Sequence, residues 1–160
     1  MGEDAQMDSD ILDRTLAGPQ AIASGITFEW VNEGRIIVLK LATVARDALD
    51  TYAEEYIRLL NVSTKAQHFL AIVDTTSSDV SFTPYVRQKI NEMEAAVASD
   101  MPGRLALLMQ DSVKSQVFKL IMRAFNMPQR RKKLERKVFV NYEEAMTWLE
   151  AGLPGEQGSS

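Results

Sequence analysis

Six hydroxyls and two carboxylates fall within ten residues at Asp74-Thr75-Thr76-Ser77-Ser78-Asp79-Val80-Ser81-Phe82-Thr83. A phosphoryl group on any of these hydroxyls adds about −1.5 to −2 charge at pH 7 and three strong acceptor oxygens. The segment follows the apolar run Phe69-Leu70-Ala71-Ile72-Val73, so it lies beyond the carboxyl end of a buried strand, where open α/β sheets place their ligands. It also precedes a helix start, Thr83-Pro84, whose free N–H groups and positive dipole end favour an anion. The candidate modification and binding residues are therefore Asp74, Thr76, Ser77, Ser78, Ser81 and Thr83. The competing reading is a plain polar loop, in which Thr83 only caps the helix and Asp74 only caps the loop. Proline at position 84 also removes one N–H that a phosphate would use.

The strongest local charge is the run Arg130-Arg131-Lys132-Lys133-Leu134-Glu135-Arg136-Lys137. It follows a segment that carries Lys114, Lys119 and Arg123 beside Phe118 and Phe125. If those two phenylalanines reach the surface, the result is a basic face with apolar teeth. Lys119, Arg123, Arg130, Arg131, Lys132 and Lys133 would then meet an acidic protein or anionic lipid headgroups. RNA ranks behind both, because no aromatic–glycine recognition motif accompanies the charges. The competing reading is a solvated connection with its cations beyond a helix C-terminus.

Other reactive residues lead nowhere. His68 is the lone histidine, and without cysteine or a carboxylate at ligand spacing it builds no metal site; it reads as a half-exposed residue at a strand start. Glu54/Glu55 and Glu143/Glu144 are neighbours on solvated helix faces rather than acid/base dyads. The sequence contains no G-x-S-x-G elbow, no Walker A loop and no G-x-G-x-x-G fingerprint. The absence of cysteine excludes disulfides, thiolate zinc sites, iron–sulfur clusters and thiol catalysis. No catalytic residue, metal or cofactor is expected.

The elements that position these residues follow from periodicity. A chain of 160 residues, 46% hydrophobic and 25% charged, suits one globular domain with tails. Residues 1–24 are expected to be a flexible acidic tail, 25–153 the domain, and 154–160 a second loose tail. Ile26 to Trp30 alternates apolar and polar, Asn32-Glu33-Gly34 offers a turn, and Arg35 to Leu41 is a deeper strand, together an antiparallel hairpin. A helix runs from about Asp47 to Asn61 with Leu49, Tyr52, Ala53, Tyr56, Ile57 and Leu60 on one stripe. Phe69 to Val73 is an interior strand; Thr83 caps a helix carrying Val86, Ile90, Met93 and Val97; Pro102-Gly103 ends it. Leu105 to Met109 is the next strand. Asp111 or Ser112 caps a helix expected to turn Val113, Val117, Leu120, Ile121 and Ala124 inward. Val138-Phe139-Val140 is the last strand, and Asn141 with Glu144 opens a final helix carrying Ala145, Trp148 and Leu149. The predicted order is β-β-α-β-α-β-α-β-α: an α/β domain with a mostly parallel sheet opened by an antiparallel hairpin.

That order, with the ending Val138-Phe139-Val140-Asn141-Tyr142-Glu143-Glu144-Ala145-Met146-Thr147-Trp148-Leu149, resembles the STAS superfamily of anti-sigma-factor antagonists, in its divergent bacterial STAS-like branch. The likeness spans roughly Gly25 to Leu153. The family's Asp-x-Ser stretch after its third strand is matched by Asp74-Thr75-Thr76, with Thr76 for serine. Its Asp-Ser-Ser-Gly helix opening falls on Phe82-Thr83-Pro84-Tyr85, where Thr83 alone matches. The resemblance implies a non-enzymatic regulatory module, and the lack of cysteine, of a membrane-spanning apolar run and of a signal-peptide start makes cytoplasmic the expected setting. Such a module binds a regulatory, kinase-like protein and is gated by Ser/Thr phosphorylation. An alternative is a carrier for a lipid or small apolar ligand, for which the eight methionines would give an adaptable pocket, although core filling explains them too.

Overall fold

A strand buried on both faces must be apolar at every position, and Phe69 to Val73 meets that demand. The computed structural model describes residues 18–62, 68–77, 83–97, 101–125 and 133–152. Its elements are β1 Gln20–Ala23, β2 Ile26–Val31, β3 Ile36–Leu41, α1 Arg46–Val62, β4 Phe69–Asp74, α2 Pro84–Ala96, β5 Gly103–Leu108, α3 Val113–Phe125, β6 Leu134–Phe139 and α4 Tyr142–Glu150. The six strands lie side by side in chain order, β1-β2-β3-β4-β5-β6. β1, β2 and β3 pair antiparallel, whereas β3 to β6 are parallel, so the α/β class and mixed sheet are as predicted.

Period-two alternation sorts the sheet side chains into two layers. On one face Ile37, Leu39, Phe69, Ala71, Val73 and Leu134 pack with Leu49, Tyr52, Tyr56, Leu59 and Leu60 of α1 and Val86 of α2. Val138 on the same face receives Phe118 of α3. On the other face Ile36, Val38, Leu70, Ile72, Ala106, Leu108 and Phe139 meet Ala145 and Leu149 of α4. α1 and α2 pack on each other, while α3 rests on β6. Each fully buried aliphatic in these layers contributes about 1.5–3 kcal/mol.

Local signals hold where the sequence predicts them. Asn32, Glu33 and Gly34 take successive positive φ values of 52°, 59° and 75° at the β2–β3 turn. Thr83 Oγ1 accepts the Val86 N–H at 3.2 Å, and Asn141 Oδ1 accepts the Glu144 N–H at 3.0 Å. Gly103 opens β5 where a Cβ would lie 2.0 Å from the Phe69 carbonyl oxygen, so only glycine permits that approach. His68 is half-buried at the start of β4, where its Nδ1 donates to the Gly152 carbonyl at 3.1 Å.

Three expectations need correction. Gln20–Ala23, placed in the N-terminal tail, is a strand on the edge of β2. The α3 face is the reverse of the expected one: Val113, Val117 and Leu120 are exposed, and Phe118 and Ser115 are buried. The third concerns the basic run. Its second half, from Leu134 onward, is β6 and not a connection, with Leu134, Arg136 and Val138 pointing into the core. A cation at an inward position hides the strand's alternation. Burying it is tolerated because Arg136 Nη2 donates to Glu94 Oε1 at 2.6 Å and Nη1 to the Leu134 carbonyl at 2.7 Å.

Removing one partner of a buried pair leaves an uncompensated charge. Glu94→Ala is therefore expected to destabilise the fold by about 3 kcal/mol in urea unfolding. Glu94→Ala/Arg136→Met should regain most of that loss. A double variant no more stable than Glu94→Ala would show that the pair does not carry the strand's tolerance of Arg136.

Candidate functional site

Asp74 ends β4 level with Lys40 of β3 and Leu108 of β5. Its Oδ1 accepts both the Thr76 N–H at 2.9 Å and the Thr76 hydroxyl at 2.6 Å, which folds the chain back on itself. Thr75 is buried and sends both its N–H and its hydroxyl to the Leu108 carbonyl, each at 2.9 Å. Gln110 Nε2 donates to the Thr76 carbonyl at 2.5 Å, so the β5–α3 connection braces the loop. Ser77 is exposed. Ser78 and Ser81 lie outside the described residues. Of the described hydroxyls, Ser77 and Thr83 are therefore open to a modifying enzyme, whereas Thr75 is sealed and Thr76 is tied to Asp74.

The start of α2 is a poorer anion site than its position suggests. Pro84 has no N–H, the Val86 N–H goes to Thr83 Oγ1, and the Arg87 N–H goes to the Thr83 carbonyl at 2.9 Å. One turn in, Tyr85 donates its hydroxyl to Asp50 of α1, and Lys89 Nζ lies 2.9 Å from the same carboxylate. Arg46 sits over the Tyr85 ring, 4.7 Å from its centroid. These contacts fix the α2 start against α1. The Tyr85 hydrogen bond, then Lys89, holds the Asp50 carboxyl below its ordinary value. On the opposite face, burial and then the charges of Glu29, Asp74 and Glu150 push the Tyr142 hydroxyl up.

α3 begins beside this loop. Ser115 Oγ accepts the Ser112 N–H at 3.2 Å and donates to the Ser112 carbonyl at 2.7 Å, locking the first turn while Ser115 itself is fully buried. At 100° per residue, the buried Ser115 and Phe118 lie opposite Val113, Val117 and Leu120, which are 81%, 43% and 62% exposed. Val140, also exposed, extends the apolar surface toward the end of β6. Of the expected basic patch, Arg123 and Lys133 are exposed and Lys119 is half-exposed. Arg130, Arg131 and Lys132 lie outside the described residues, as do the side chains of Lys114, Ile121, Ala124 and Phe125. The apolar teeth exist, but they are valines and a leucine and not Phe118.

Sequence patterning misses two features of this region. One is the outward stripe on α3, because its apolar residues occupy two opposed faces and the periodicity fits either. The other is a cavity of about 110 Å³ between the sheet and α1, α2 and α3, lined by Tyr52, Tyr56, Ile90, Leu107, Phe118 and Arg136 among others. Only the two tyrosines on the α1 stripe hint at it. Among the described residues no three His, Cys, Asp or Glu side chains converge to hold a metal, and no helix is long and apolar enough to cross a membrane. No family model, curated protein or solved structure matches the chain.

The α1–α2 clamp makes a pH-dependent contribution of definite sign. Asp50 titrates below 3.8 in the fold and near 3.8 when unfolded, so its contribution is complete above that value and fades as pH falls through the native titration. Asp50→Asn should lower Tm at pH 7, with the gap to the parent closing as pH falls below 3.8. A gap of constant size across that range would assign the effect to shape and not to charge.

Proposed function

We propose that the chain is a non-enzymatic regulatory module, akin to an anti-sigma-factor antagonist, that docks a protein through the outer face of α3 and the loop ends beside it. The observation that carries this is the Val113, Val117 and Leu120 stripe, solvent-facing on a helix whose other face already seals the sheet. Arg123 and Lys119 flank the stripe on one side. A partner with an apolar centre and an acidic rim complements it, although the chain as a whole carries a formal charge of −4. A kinase-like regulatory protein fits the role. A cytoplasmic setting belongs to this reading, and the lack of cysteine is consistent with it.

Gating belongs to the hydroxyls at the same end of the sheet. Thr83 is exposed at the N-cap of α2, whose first N–H groups are already engaged, so a phosphoryl group there acts by adding negative charge that repels the partner's acidic rim. Ser77, Ser78 and Ser81 are further acceptors in this reading, and Asp74 with Thr76 holds the turn that leads into Ser77.

Affinity capture from the native host, run in parallel on the parent and on Val117→Asp/Leu120→Asp, tests the surface. The partner is expected to be lost from the variant, with Kd raised about thirtyfold or more and an unchanged circular dichroism spectrum. Thr83→Glu and Ser81→Glu should each weaken the same complex. Equal capture by the parent and the α3 variant removes the docking surface, and unchanged binding in both glutamate variants removes the gate.

A further inference from the structure

We propose that the cavity beneath α1, α2 and α3 binds a compact, uncharged, single-ring molecule that presents one hydrogen-bond acceptor. Its volume of about 110 Å³ is of the order of an apolar cavity of about 150 Å³ known to take benzene. Val73, Ile90, Met93, Leu107 and Phe118 give it apolar walls.

The polar groups define what the ring must carry. Tyr52 and Tyr56 stand one turn apart on α1, are each 4% exposed, and both line the cavity. Neither phenol hydroxyl has a hydrogen-bond partner among the described residues, and neither is sealed from open space, so both face the cavity. Each hydroxyl is therefore open to whatever fills the cavity, and an acceptor on a ligand takes its hydrogen bond in place of water. Burial pushes both hydroxyls above their ordinary values, so they remain O–H donors at any physiological pH.

Charge is excluded by the wall itself. The Arg136 guanidinium is matched by the Glu94 carboxylate at 2.6 Å, and Lys89 is matched by Asp50 and Glu92. An anion entering the cavity meets Glu94 and loses its hydration without gaining an unmatched cation; a cation meets Arg136. An aryl ketone or aldehyde, or a small cyclic carbonyl compound, has the right size, polarity and acceptor. The site is separate from the outer face of α3, and its occupancy does not depend on a docked protein.

Titration of ¹⁵N-labelled full-length protein with acetophenone, ethylbenzene and benzoate tests this, because the three probes share a ring and differ in acceptor and charge. Acetophenone should shift the amides of Tyr52, Tyr56, Val73 and Leu107, with ethylbenzene about three- to tenfold weaker and benzoate at least about tenfold weaker. Tyr52→Phe/Tyr56→Phe keeps the volume and should erase the preference for acetophenone over ethylbenzene. Ile90→Trp, at the half-buried rim, should block both neutral probes and keeps the idea testable if the tyrosine variant does not fold. Val117→Asp should leave all three titrations unchanged, which separates this site from the docking surface. Silence toward both neutral probes, tighter binding of benzoate, shifts confined to Val113, Val117 and Leu120, or a preference that survives loss of both hydroxyls would each overturn the proposal.

Discussion

Parallel strands require cover on both faces, and the way this chain supplies it governs the rest of its structure. β3 to β6 run parallel in chain order, with α1, α2 and α3 on one face and α4 on the other. Three helices over one face of a twisted sheet do not close it evenly. α1 and α2 pack on each other over the centre, while α3 is seated on the edge strand β6. The interior cavity lies where these helices meet the sheet, with Phe118 of α3 and Ile90 of α2 both in its wall. The edge position of α3 also leaves its second apolar face exposed, with no neighbour on it among the described residues. Cavity and exposed stripe are thus two consequences of one packing geometry.

The α4 side shows how a single short helix suffices for the other face. Ala145 and Leu149 are fully buried, and Phe139 meets the Trp148 ring with centroids 5.5 Å apart. Arg104 lies over the same indole at 5.1 Å and donates to the Trp148 carbonyl at 2.6 Å, while His68 donates to the Gly152 carbonyl. Orphan carbonyls at the end of α4 are thereby satisfied by residues from β5 and from the start of β4. The lone histidine acts as a clip between sheet and helix.

Polar groups inside the larger layer are not incidental. Arg136 projects from β6 into the core and is held by Glu94 of α2, a contact that joins the edge strand to the central helix pair. Tyr56 lies near enough to this pair for both charges to act on its hydroxyl, and its ring packs edge-on against Phe69 at 5.5 Å. The interior therefore combines apolar walls with a charge-balanced end and two phenols, the chemistry of a selective small pocket.

Much of this architecture is legible in the sequence, because it rests on local physics. Period-two and helical spacing, Thr83-Pro84, Asn141 and the Asn32 to Gly34 turn each fix their element from neighbouring residues alone, and the α/β order follows from them. The hydroxyl-rich segment that follows β4 is likewise visible in composition, although which of its described hydroxyls are accessible is not. Other features were decided only by tertiary contact. Gln20 to Ala23 is a strand because β2 offers it a free edge. Arg136 belongs in a strand because Glu94 waits 42 residues earlier in the chain. α3 turns Phe118 inward and Val117 outward because the seat on β6, and not the helix's own periodicity, chooses between two apolar faces. Each of these depends on a partner distant in sequence, which local periodicity does not report.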